Sequence, residues 1–132
     1  MRPALAIPVL LAACLVASIA VAQSDRKTTS FQSLAASGVS GDVTLNPMPD
    51  GEVLVHSTVK GLVAGTQYQV FVFDQNSTCG AGTSVQIATI TANPAGNANI
   101  NQRVALGISS FQSIGIRQEP ANTLVACATV PQ

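Results

Sequence analysis

An all-β domain of about seven antiparallel strands is what this sequence predicts, and three features carry the prediction. Short runs rich in Val, Ile, Thr and Phe alternate apolar with polar residues, the period of a strand with one face in a core. Clusters of Gly, Pro, Asn and Asp separate those runs at turn positions. Beyond the apolar N-terminal stretch no 3.6-residue periodicity of an amphipathic helix stands out. The strand spacing suits a sandwich or a barrel, and 132 residues suffice for one domain with its own core.

The N-terminus fixes the expected compartment. Arg2 gives a positive start, residues 4–19 are almost unbroken apolar chain, and Ala20-Val21-Ala22 is a small-x-small cleavage site. Residues 1–22 therefore read as a secretory signal peptide, and the mature protein as secreted or periplasmic, without a membrane span. A lesser alternative is lipid anchoring through Cys14, because Leu11-Ala12-Ala13-Cys14 has the small-residue pattern of a bacterial lipoprotein site. Residues 23–37 are polar and aperiodic and read as a flexible leader, with Phe31 and Leu34 its candidates for packing down. The domain is expected to span residues 38–132.

The strands follow in order. Residues 42–45 run into Asn46-Pro47-Met48-Pro49-Asp50-Gly51, where two prolines and an Asp-Gly enforce a hairpin turn. Residues 52–60 then alternate, Val53, Val55, Ser57 and Val59 against Glu52, His56, Thr58 and Lys60, with Leu54 the exception. Gly61 and Gly65 bracket the next turn. Residues 67–74 form a third strand whose Val70-Phe71-Val72-Phe73 is apolar on both faces, which predicts a central position. After a polar loop holding Cys79, residues 85–92 and 97–106 are strands joined through Asn93-Pro94-Ala95-Gly96, and two more lie near residues 113–117 and 123–130.

Composition excludes several functions. Charged residues are 9% of the chain and the formal net charge is zero, so no basic face gathers phosphates and nucleic acid is not an expected partner. Aromatic residues are 4%, with one Tyr and no Trp, which removes most stacking platforms for sugars or bases. Once processing disposes of Cys14, Cys79 and Cys127 are left as a pair in an oxidising compartment, and a disulfide is the natural inference. Buried free thiols are the alternative; metal ligation has only His56 to draw on as a further imidazole.

Three stretches resemble copper/zinc superoxide dismutase. Gly61-Leu62-Val63-Ala64-Gly65, the strand ending Val70-Phe71-Val72-Phe73-Asp74 and the loop with Cys79-Gly80-Ala81-Gly82 are similar to one part of that family. Leu124-Val125-Ala126-Cys127 resembles the strand with its second disulfide cysteine, and residues 90–98 resemble its glycine-containing hairpin. The resemblance covers about two thirds of the chain. It implies a Greek-key sandwich of the immunoglobulin-like or superoxide dismutase-like kind, and it matches Cys79 and Cys127 to the family's intrasubunit bridge. It does not imply the activity. The family's His-x-His positions hold Val70 and Val72, or Phe71 and Phe73 in the neighbouring register, and Leu124 replaces an arginine.

The remaining candidates are weak. His56, the chain's one imidazole, could act as a ligand or base with Asp74 or Asp50 across the sheet, but its plainer reading is an exposed strand residue. Most of Asp42, Asp50, Glu52 and Asp74 sit in or beside turns, where carboxylates serve local backbone hydrogen bonds. No serine lies in a Gly-x-Ser-x-Gly elbow. Asn76-Ser77-Thr78 matches the N-glycosylation acceptor pattern, and Arg103 and Arg117 read as solvated strand residues. The expectation is a non-enzymatic module with no cofactor, a structural role and a possible protein partner. A metal-handling or redox protein built around His56 is the alternative.

Overall fold

The computed structural model describes residues 26–80 and 82–132; the expected signal peptide and Cys14 lie outside the described residues. Its strands are β1 (Lys27–Ser30), β2 (Gln32–Ser33), β3 (Ser40–Pro47), β4 (Val53–Lys60), β5 (Gln67–Phe73), β6 (Ser84–Thr91), β7 (Ala98–Val104), β8 (Ser113–Gln118) and β9 (Thr123–Thr129). A short 3-10 turn, Ile108–Ser110, lies between β7 and β8. The strands form two antiparallel sheets, ordered β1-β3-β4-β7 and β2-β9-β8-β5-β6.

Alternation along the sequence becomes the two faces of each sheet. In β4, Val53, Val55, Ser57 and Val59 are buried, whereas His56, Thr58 and Lys60 are exposed and Leu54 is intermediate. Opposite them in the other sheet, Tyr68, Val70 and Val72 of β5 and Ile114 and Ile116 of β8 complete one shared core. Phe31 and Phe111 join it. This layering removes the apolar face of both sheets from water, the dominant favourable term in folding such a chain.

The turns form where the breakers stand. Between β3 and β4, the Met48 N–H donates to the Glu52 carbonyl at 2.7 Å and the Gly51 N–H returns to the Met48 carbonyl at 3.0 Å. Asp50 accepts the Glu52 N–H at 3.0 Å, the local carboxylate role expected of it. At the end of β4, Gly61 has φ +79°, and a Cβ there would lie 2.2 Å from the Gly38 carbonyl oxygen. Only glycine fits that crossing without moving backbone.

Two expectations need correction. Residues 27–33 are not a leader outside the domain: β1 pairs with β3 from Lys27↔Leu45 to Ser30↔Asp42, and β2 pairs with Cys127 and Ala126 of β9. One polar segment thus hydrogen-bonds to both sheets in succession, and Phe31 between the strands is 4% exposed. Its backbone, not an apolar pattern, holds most of it. The turn at residues 93–97 does not make a sheet hairpin either. β6 and β7 belong to different sheets, so the turn carries the chain across the core, fixed by the Asn93 side-chain oxygen accepting the Ala95 and Asn97 N–H groups at 3.0 and 2.9 Å.

Candidate functional site

The third predicted strand is β5, flanked by β6 and β8 as expected of a central strand. Its inner residues, Tyr68, Val70 and Val72, enter the shared core. Its outer residues Phe71 and Phe73 meet a second, smaller cluster made by Phe73, Cys79 and Cys127, with Leu34, Phe71 and Leu124 against it. An outer sheet face is usually wet; this one is apolar because the loop after β5 folds back over it.

A disulfide joins Cys79 to Cys127 with Cα atoms 5.9 Å apart, pinning the loop to β9. Hydrogen bonds continue the attachment. The Ser113 hydroxyl, wholly buried, accepts the Cys79 N–H at 3.1 Å and donates to the Asn76 carbonyl. Thr129 donates to the Ser77 carbonyl at 2.6 Å. Under the bridge lies Gly115, where a Cβ would come within 2.9 Å of the Phe73 ring, 3.1 Å of Leu124 and 3.3 Å of the Cys79 sulfur. Leu124 therefore fills space in this cluster. Arg117 reaches along the same face, its guanidinium carbon 5.4 Å from the Phe71 ring centroid, a cation–π contact that accounts for an arginine beside an aromatic.

His56 and Asp74 are not brought together. His56 is exposed on β4, between Thr44 of β3 and Asn101 of β7 in the register of the four-stranded sheet. Asp74 follows β5 of the other sheet and accepts the Thr83 hydroxyl. Asp50 is not a partner for the imidazole either: with Glu52 it faces Arg103, each carboxylate 3.5 Å from the guanidinium. Arg103 is thus ion-paired where the sequence suggested a solvated residue. Both contacts are largely exposed, so they contribute little to stability.

The face around His56 is an open depression of about 540 Å³, bordered by Ser30, Asp42, Thr44, Thr58 and Lys60. Its polar groups bind one another, Ser30 donating to Asp42 at 2.8 Å and Thr58 to Asn99 at 3.1 Å. A general base needs a reacting group and an orienting partner within hydrogen-bond reach; the cross-strand neighbours of His56, Thr44 and Asn101, include no carboxylate. Among the described residues, no group of three or more His, Cys, Asp or Glu side chains is placed to hold a metal ion. The Asn76 side-chain oxygen accepts both the N–H and the hydroxyl of Thr78, at 2.8 and 2.7 Å, a local turn within the acceptor tripeptide.

No family model matches the chain, and no curated protein matches it. Among the described residues, no helix is long and apolar enough to cross a membrane.

Proposed function

We propose that the chain is a non-enzymatic β-sandwich module of the secreted or periplasmic space, wound as a Greek key on a scaffold similar to copper/zinc superoxide dismutase, with a structural or protein-interaction role. One observation carries the reading. On either register of the resemblance, the positions of the family's His-x-His are occupied by packing residues: Val70 and Val72 in the shared core, Phe71 and Phe73 against the cluster of the disulfide-closed loop. A soft or borderline metal needs imidazole or thiolate donors there, and the two nearby sulfurs are spent on each other.

The winding supports the scaffold. β5, β6 and β7 follow one another around the edge of the sandwich, β8 returns beside β5, and β4 lies beside β7, the connection pattern of a Greek key. Tyr68, at the start of β5, accepts the Val63 N–H at 2.8 Å, much as the corner tyrosine of Greek-key sandwiches binds backbone a few residues upstream. The disulfide is consistent with an oxidising compartment.

The test is metal analysis of the mature protein after equilibrium dialysis against copper and zinc, beside its intact mass before and after reduction. Two thiols that appear only on reduction, without stoichiometric metal, are expected. One copper or zinc per chain, lost on His56→Ala, would overturn the reading in favour of metal handling.

A further inference from the structure

β6 is the outermost strand of the five-stranded sheet, and among the described residues it pairs on one side only, with β5. Edge strands ordinarily carry charges, prolines or a covering segment that prevent pairing with another chain. Ser84–Thr91 reads SVQIATIT, with no charge, no proline and no glycine. Val85 pairs with Val72, which is 1% exposed, and so lies on the core side of the sheet, yet Val85 itself is 47% exposed. It borders an open groove of about 310 Å³ between β6 and β7, with Ile87, Val104 and Leu106.

We infer that this edge pairs with the same edge of a second copy, antiparallel about a two-fold axis between Ile87 and Ala88. The inference deepens the interaction reading and rests on it. The pattern of β6 is self-complementary in that register. Val85, Ala88 and Ile90 face the core, opposite Val72, Val70 and Tyr68, whereas Ser84, Gln86, Thr89 and Thr91 face outward, opposite Phe73, Phe71, Gln69 and Gln67. Antiparallel self-pairing sets Val85 against Ile90 of the second copy on the inner face, and Gln86 against Thr89 and Ser84 against Thr91 on the outer face. The six residues flanking the axis then meet a partner of their own kind and side. Shifting by one residue sets apolar residues against polar ones.

Charge points to the same occupant. In a two-fold pairing every charged residue near the axis meets its own copy; β6 carries none, and Arg103, which lines the adjoining groove, is ion-paired with Asp50 and Glu52. Neither of the other long or exposed edges is so free, since β1 begins with Lys27 and β7 carries Arg103. Ile87, the extra residue of a bulge between Ala88 and Gln86, sits at the axis, so the ladder forms on its two flanks. The result is a ten-stranded sheet continuous across two copies, closed at the dimer.

Light scattering coupled to size exclusion, run over a concentration series of the mature, oxidised protein, tests this. A concentration-dependent dimer is expected. Val85→Lys, which sets a charge in the apolar pairing, should leave a monomer with the wild-type circular dichroism spectrum, whereas Val63→Lys, at a 57% exposed position in the loop between β4 and β5, should leave the dimer. Mixing Gln86→Cys with Thr89→Cys under mild oxidation should cross-link two chains far more than either variant alone. A wild-type protein that stays monomeric throughout, or a dimer indifferent to Val85→Lys, overturns the inference. The metal test above would be unaffected by either result, so the two proposals fail separately.

Discussion

Replacing both Cys79 and Cys127 with alanine removes the disulfide that cross-links the loop after β5 to β9. The bridge closes a segment with a sequence separation of 48. Chain-entropy reasoning gives about 4 kcal/mol for a loop of that length, acting through the unfolded state. Packing adds to it, because the two residues are 2% and 7% exposed and touch Phe73 and Leu124; losing those contacts costs roughly 1–2 kcal/mol more. The expected loss is thus about 5 kcal/mol, a large share of a stability that for small domains is about 5–15 kcal/mol. Urea unfolding followed by circular dichroism measures it, with reduced wild type as a second arm. Reduced wild type keeps both sulfurs in the fold, so it should lose less than the double variant by about the packing contribution. A double variant within about 1 kcal/mol of the oxidised protein would refute the argument that the bridge, and not the sheet ladder alone, holds this side of the domain.

Three further outcomes follow from single positions. Gly61→Ala should cost about 3 kcal/mol or more in the same unfolding assay, because its Cβ would strike the Gly38 carbonyl oxygen and its φ is +79°. Ser57→Ala should be neutral or stabilising by about 1 kcal/mol, since the Ser57 hydroxyl is 1% exposed and finds no partner among the described residues; a clear loss would reveal a hydrogen bond to water in the core. Arg103→Ala should shift stability by less than about 0.5 kcal/mol, measured at low and high salt, because both of its carboxylate contacts are solvent-exposed.

What the sequence made legible depended on where each segment's energy comes from. The alternation of residues 53–60 is held by side-chain burial, and a two-residue period reports burial directly, so every face of β4 was readable. β1 and β2 are held by backbone hydrogen bonds to β3 and β9, and a run such as Lys27-Thr28-Thr29-Ser30 carries no apolar period to announce that. Composition alone therefore gave a leader. The route from β6 to β7 was hidden for a similar reason: the same turn residues close a hairpin or carry the chain between sheets, and the difference lies in the distant pairing of β4 with β7.

At the candidate site the signal was present and pointed elsewhere than expected. Val70-Phe71-Val72-Phe73, apolar on both faces, marked a central strand, but centrality in a sheet explains only one covered face. The second cover comes from the loop, drawn down by Cys79 and by the Ser113 hydroxyl. Cysteine arithmetic could suggest the bridge; nothing local could say that Gly115, forty-odd residues away from Phe73 in sequence, leaves the space into which the ring and the sulfur fit.

That arrangement bears on what the outer face of β5 can hold. A metal site on the outer face of β5 would need donors projecting where the Phe71 and Phe73 rings now lie, and room for an ion beside them. Gly115, Leu124 and the disulfide instead close around Phe73, which is 1% exposed. Replacing Phe73 with histidine would set an imidazole in an apolar, water-excluded cluster with no second donor on Val70 or Val72, both of which face the opposite core. The neutral ring would then be left with unsatisfied nitrogens, at a cost of roughly 1–3 kcal/mol each. The packing that stabilises the loop and the coordination that a metal requires therefore compete for the same volume, and in this chain the side chains of β5, β8 and β9 all favour packing.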